Sequence, residues 1–440
     1  WTGIHVEMGN FGVGILNNGN TIGASSGIDN IVLTNGTTSN TTYPDMTGFF
    51  GINFSSWSAV TIRDNVVGGI TTRTSDNATT ACSAFGIAKF KGNGTYTPLN
   101  IQNNTIRNIT ASSGSSSNPQ FVYGICYEKE FVPNWFIDAG HVSIFGNTVE
   151  YLTNNSTYLN GPFGPPPPSP SQVGTDDFGS RVQGIRVNSY FAEIYSNTVS
   201  YLSTASKNNN RGRNASVIGI STRMYRYIYL NPDNYNEPPP YDTISRQGVR
   251  DNRIFNLSNS TTNSTAVFGI YYQCNAEEGP NDYNDVTRNF IENLTVGTIP
   301  ANLASQIAGI RSVSGPATYS NNIISLGHNL TTQRASINGF FETGSSLQDA
   351  RFYFNTVFIG GIAASTLNEN SYAFFTQSNN NVKNIRNNIF HNVRTGGTGN
   401  YHVSISVPNR NNLTIDYNNY YYAGSALGLY GGAPQADLAA

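Results

Sequence analysis

Short apolar runs recur along this chain around a fixed asparagine. In Val142-Ser-Ile-Phe-Gly-Asn-Thr-Val-Glu-Tyr-Leu152 an aliphatic residue stands three before Asn147, another two after it and a third five after it. The same pattern is centred on Asn65, Asn104, Asn147, Asn197, Asn252, Asn289, Asn322, Asn355, Asn388 and Asn418. Three residues before these stand Ile62, Ile101, Ile144, Ile194, Val249, Val286, Tyr319, Phe352, Ile385 and Ile415; two after them stand Val67, Ile106, Val149, Val199, Ile254, Ile291, Ile324, Val357, Phe390 and Tyr420. No position in that register is charged. Such self-similarity outranks any local feature in reading the chain.

A second signature precedes each copy. Gly followed by a large apolar residue occurs at Gly51-Ile52, Gly86-Ile87, Gly124-Ile125, Gly184-Ile185, Gly219-Ile220, Gly269-Ile270, Gly309-Ile310 and Gly339-Phe340, with Ala373-Phe374 and Ser404-Ile405 in the same place later. One unit is therefore a Gly-Ile strand, a variable loop, a short strand, an Asn corner and another short strand.

The apolar runs are too short and too β-branched for helices, and they alternate with polar residues at the period of a half-buried strand. No unit can bury its apolar side alone. Stacked about 4.8 Å apart, each coil pairs its backbone with the coils above and below. The expected fold is all-β, a parallel β-helix of about ten to eleven coils, roughly 50 Å long. The Asn is expected to take the left-handed conformation that a tight corner needs. Stacked at one corner, the Asn amides are expected to bond along the rod as a ladder.

The Ile-x-x-Asn-x-Val/Ile repeat resembles the right-handed single-stranded parallel β-helix of the pectate-lyase-like superfamily over roughly residues 48–422. Handedness comes from that resemblance. Asn387-Asn-Ile-Phe-His-Asn392, Gly396-Gly-Thr-Gly-Asn-Tyr401 and Asp416-Tyr-Asn-Asn-Tyr420 resemble β-helix segments of large secreted surface proteins of Bacteroidetes-type bacteria. The resemblance implies that Ala436-Asp-Leu-Ala-Ala440 continues into further sequence.

A solenoid grows in one dimension, so 440 residues read as a single domain: an irregular first coil over 1–47, regular coils over 48–422 and a C-terminal extension over 423–440. Charged residues make up only 11% and the net charge is −2, which offers no field for nucleic acid. No apolar run approaches the roughly 20 residues of a membrane span. A chain that opens at Trp1 without a signal peptide reads as a processed or partial extracellular or cell-surface protein. Three cysteines, Cys82, Cys126 and Cys274, make no disulfide framework. Insertions cluster in the middle third: the Ser-rich 110–121, the aromatic 128–141, the Pro-rich 161–170 and the Tyr- and Pro-rich 224–245.

Candidate chemistry falls on the outward face of the Gly-Ile strands. Three residues past each Ile stand Phe90, Glu128, Asn188, Arg223 and Gln273; one past stand Cys126, Arg186, Ser221, Tyr271 and Arg311. Glu128, Arg186, Asn188, Arg223 and Gln273 form a mixed-charge patch there. In the enzymatic reading, Arg186 or Arg223 contacts an acidic sugar and Glu128 acts as acid or base. In the structural reading, opposite charges on neighbouring coils simply relieve each other. Tyr127, Tyr271, Tyr272 and the stripe Tyr225, Tyr227, Tyr229 are candidates to stack on sugar rings. Asp176-Asp177 and Glu277-Glu278 with Asp282 and Asp285 could bind calcium, but no calcium-loop motif supports it. The five His residues lack ligand spacing for a metal. Gly396-Gly-Thr-Gly399 reads as a turn.

No repeated carboxylate pair marks successive coils, and no terminal helix caps the rod, so further domains or subunits are expected to cover its ends. Together these features favour a structural or adhesive surface rod, one that meets polysaccharide or cell-surface glycan through its loops, over a polysaccharide lyase or hydrolase.

Overall fold

Because each unit is apolar on one side only, each gives one strand to each of three parallel sheets and closes its core against the next unit. The computed structural model describes residues 2–8, 15–23, 31–35, 48–56, 60–74, 83–90, 99–113, 119–128, 141–156, 179–189, 191–226, 247–276, 284–300, 303–314, 317–343, 349–364, 369–379, 382–409, 411–424 and 426–437. Among these residues there is no helix, and so none long and apolar enough to cross a membrane. The strands form sheets of 13, 11 and 12 members and one two-stranded ribbon. Sheet 1 holds the Gly-Ile strands, sheet 2 the strands entering the Asn corner and sheet 3 those leaving it.

Register is kept from coil to coil. Ile52, Ile87, Ile125, Ile185, Ile220, Ile270 and Ile310 are direct neighbours in sheet 1, as are Ile62, Ile101, Ile144, Ile194, Val249 and Val286 in sheet 2. All are fully buried in one continuous core. Aromatics take over toward the C-terminal end, where Tyr319 stacks on Phe352 at 4.7 Å and bonds Ser312 through its hydroxyl at 2.6 Å. The glycines have a steric reason. A Cβ at Gly184 would lie 2.3 Å from Val199 Cγ1 and 2.7 Å from the Gly219 carbonyl oxygen. Only Gly lets sheet 1 press this closely on the aliphatic column of sheet 3.

At the corner between sheets 2 and 3 the asparagines form an unbroken ladder. Asn104 donates from its backbone N (2.9 Å) and from Nδ2 (3.0 Å) to Oδ1 of Asn147, and its Nδ2 also reaches the Ile62 carbonyl at 2.9 Å. Asn147 repeats this onto Asn197, and so on to Asn418. Rungs lie 39 to 55 residues apart in most of the first half, settle at 33 later and close with a step of 30.

The left-handed residue is not the ladder Asn. It is the residue before it: Asp64, Asn103, Gly146, Ser196, Asp251, Arg288, Asn321, Phe354, Asn387 and Tyr417 all have φ between +53° and +65°. The ladder Asn is selected for its amide, which must face the next coil, and the corner's strain falls on its neighbour. Four residues after the ladder Asn a second left-handed column runs through Gly69, Asn108, Tyr151, Tyr201, Asn256 and Asn293. Each non-Gly residue in such a conformation costs about 1–2 kcal/mol, least for Asn and Asp.

The ends extend the repeat. In the expected first coil, Thr2–Met8, Ile15–Asn18, Thr21–Gly23 and Ile31–Asn35 pair with the next coil, Ile4 beside Ile52, and Asn20 donates to Asn65 Oδ1 at 2.9 Å as an additional rung. Asn17 stands where other units carry an apolar residue, so that rung does not show in the sequence pattern. Toward the C-terminus, Gly428–Tyr430 joins sheet 1 and turns at Gly431-Gly432 into antiparallel Ala433–Gln435. That hairpin covers the edge of sheet 1, and Pro434 removes one N–H from the new outer strand.

Replacing an interior rung should cost far more than replacing an end one. Asn147→Ala orphans the Asn104 N–H and the Ile101 carbonyl in a buried column and is expected to cost about 3 kcal/mol or more in urea unfolding. Asn418→Ala, where water replaces the amide at a half-buried rung, is expected to cost about 1 kcal/mol. Equal costs would mean that the ladder does not carry the corner.

Candidate functional site

Sheet alternation puts the residues one and three past each Ile on the outer side of sheet 1, and there the candidate patch assembles. Cys126, Arg186, Ser221 and Tyr271 are successive neighbours, as are Glu128, Asn188, Arg223 and Gln273. Arg186 Nε donates to Glu128 Oε1. A second guanidinium, Arg213, donates to the same oxygen from Nη2 at 2.9 Å and to the Val187 carbonyl at 3.3 Å. Arg186 Nη1 also reaches Asn214 Oδ1 at 2.9 Å and Gln183 Oε1 at 3.2 Å. Arg213 and Asn214 belong to the segment 205–216, which lies against this face. Its Asn208 amide bonds the carbonyls of Ser180 and Asn214.

Arg186 is 5% exposed and Glu128 half-buried, so this ion pair is largely enclosed. Burial alone would raise the Glu128 carboxyl, but Arg186 and then Arg213 outweigh it and hold it at about 2. Burial works against the charge of Arg186, and the Glu128 carboxylate more than restores it, raising its pKa above the ordinary arginine value. Arg213 is pulled down by burial and by Arg186, with Arg223 adding to the effect. Cys126 is pushed up by burial and is no nucleophile. Glu128 and Arg186 thus come together as sequence reasoning placed them, and each holds the other in its charged form. Asn188, Arg223 and Gln273 follow in register, half-buried.

The aromatic candidates turn inward or lie under cover. Tyr127 and Tyr272 sit two past the Ile, on the core side, at 5% and 0% exposure, and pack in the central cluster. Tyr271 faces outward but is buried among Ile218, Phe268, Ala308 and Phe341. None of these rings is open to a ligand. Asp285 lies 4.0 Å from Arg250. Gly396, Gly397 and Gly399 have left-handed φ in a turn, and the Gly396 carbonyl meets His402 Nε2 at 3.0 Å. Cys82, the stretches 129–140 and 157–178 (including the Pro-rich run and Asp176-Asp177), the Tyr225, Tyr227 and Tyr229 side chains, and Glu277, Glu278 and Asp282 lie outside the described residues.

A different face is open. Among the described residues the exposed large hydrophobics are Tyr151, Tyr201, Ile323, Phe354, Ile362, Ile389, Tyr417 and Tyr421, and every one lies on sheet 3 or at its margin. Tyr151 and Tyr201 stack at 4.6 Å, and Phe255 meets Tyr201 edge-on at 5.7 Å. Further along, His328, Phe358, His391 and Tyr421 form a column with successive centroids 4.6, 4.9 and 4.5 Å apart. Sequence reasoning missed this face because it looked for chemistry beside the Gly-Ile strands. The available signal was Tyr and Phe at left-handed positions that other units fill with Asn, Asp, Ser, Arg or Gly.

Comparison with known proteins finds no family model, no curated protein and no solved structure that matches the chain.

The Glu128 clamp predicts a pH dependence. Its carboxyl titrates at about 2 in the fold against an ordinary 4.5, so its contribution is complete above 4.5 and is lost as pH falls from 4.5 toward 2, at most about 3 kcal/mol. Glu128→Gln leaves two guanidiniums without their anion and is expected to cost about 3–5 kcal/mol at pH 7. It should also flatten the acid limb of a stability-versus-pH curve. An unchanged acid limb in that variant would contradict the clamp.

Proposed function

We propose that the chain is a rigid rod of an extracellular or cell-surface bacterial protein, structural or adhesive, that contacts glycans with its outer surface. The observation that carries this reading is the division of labour between the two faces: Glu128 and Arg186 beside sheet 1 are locked on one another, and the exposed aromatics stand on sheet 3 or at its margin. A sequence with 11% charged residues and an unbroken amide ladder suits a stiff, solvated spacer. The parallel sheets and the buried Asn column also support kinship with the right-handed β-helices of the pectate-lyase-like superfamily and with β-helix segments of Bacteroidetes-type surface proteins.

The competing reading, a lyase or hydrolase working along sheet 1, needs Glu128 and an arginine free to meet the substrate. The hold of Arg186 and Arg213 on the Glu128 carboxylate favours the rod over that reading.

Incubation of the purified chain with a panel of polysaccharides tests the proposal. Retention on at least one polymer without release of reducing or unsaturated ends is the expected outcome. Release of unsaturated ends that disappears in Arg223→Ala would establish the lyase instead.

A further inference from the structure

We propose that the outer face of sheet 3 is the ligand face, and that its ligand is a neutral polysaccharide lying along the rod. This rests on the glycan-contacting reading above and names its site and polymer class.

Four exposed aromatics stand where the backbone least tolerates them. Tyr151 (φ 54°) and Tyr201 (φ 53°) occupy a left-handed column that is otherwise Gly or Asn, and Phe354 (φ 56°) and Tyr417 (φ 53°) occupy the corner column. Their exposures are 46%, 40%, 57% and 77%. A large ring at such a position strains the main chain and, left in water, gains little from burial in return. Strain of this kind, held on a surface that the fold over-determines, marks a functional position. Two of the four stand on sheet 3 and two at the corner beside it, and together with every other exposed large hydrophobic among the described residues they point to an interaction surface on this side of the rod.

The chemistry of the face selects the ligand. Three ion pairs stand on and beside it: Arg107 with Glu150 at 3.8 Å, Arg253 with Glu292 at 3.7 Å, and Arg288 with Asp251 at 2.6 Å. These pairs cancel, so they offer no preference for an acidic polymer. What remains is rings set among amides and hydroxyls; where rings stand on successive coils, from His328 through Phe358 and His391 to Tyr421, they step 4.5 to 4.9 Å along the rod. That step is close to the length of one pyranose unit, so a periodic face meets a periodic ligand. The rings, stacked on one another along the rod, supply apolar contact at their edges, and the short polar side chains between them supply hydrogen bonds. The stack of Tyr151 on Tyr201 fixes the ridge before any ligand arrives, which lowers the ordering cost of binding.

Affinity electrophoresis of the full chain in gels containing glucan, xylan, mannan or a polyuronate tests the assignment. The substitutions are Tyr151→Asn with Tyr201→Asn, and separately Phe354→Asn with Tyr417→Asn. Asn suits the left-handed backbone, so both variants should keep the far-UV spectrum and melt within a few degrees of the parent. The expected result is retardation by a neutral polymer and a loss of about tenfold or more in affinity in the Tyr151/Tyr201 variant. Full affinity in both variants overturns the face and leaves the adhesive reading standing. Retardation by the polyuronate alone overturns the polymer class. Self-association that disappears in the variants makes the face a contact between copies of the chain and overturns the glycan assignment. Retardation by no polymer overturns this inference and the glycan contact on which it rests.

Discussion

One buried column of carboxamides sets the geometry of everything around it. Each rung accepts two hydrogen bonds from the rung before it and gives two to the rung after it, as Asn147 does between Asn104 and Asn197. An amide can do this only if successive corners lie directly over one another at one strand spacing. Once they do, the strands on either side are in register. The aliphatics then meet their equivalents, and the glycines of sheet 1 must make room for the aliphatic column of sheet 3. The column has a single direction, N-terminal rung donating to C-terminal rung, so every coil is oriented alike.

Such a scaffold makes its outer faces regular, and regularity serves different ends on different sides. Beside sheet 1 it lets Glu128 and Arg186 on adjacent strands find each other, with Arg213 closing the cluster from outside. Two cations around one anion at low exposure hold the segment 205–216 against the sheet, a structural task. On sheet 3 no described segment does the same, and rings stand in solvent at spacings that the ladder dictates. Rigidity there would keep the proposed binding surface in shape without a ligand.

Most of the fold could be read in the chain because a period of one coil leaves the same residue type at the same place many times. The rungs, the Gly-Ile register and the outward positions of Glu128 and Arg186 all follow from it. The same alternation puts Tyr127 and Tyr272 inside, since they stand two past the Ile, and weighing them as ligand contacts overlooked that parity. Other features were not legible. Arg213 meets Glu128 from 85 residues away through an irregular segment, and no period reports such a contact. The left-handed corner residue varies from Asn103 to Arg288 to Phe354, so its conformation is imposed by the ladder beside it and not by its own preference. Where that residue is a large aromatic, the mismatch between residue and backbone is itself the clue to the open face.

Residue-resolved hydrogen exchange at the corner amides tests the ladder most directly. The backbone N–H groups of Asn104, Asn147, Asn197, Asn252, Asn289, Asn322 and Asn355 each donate to the next side chain inside the rod. They should exchange as slowly as the central strand amides and open together with them. Fast exchange at these seven positions, with the flanking strands still protected, would show that the strands hold the corners in line and that the amides merely follow.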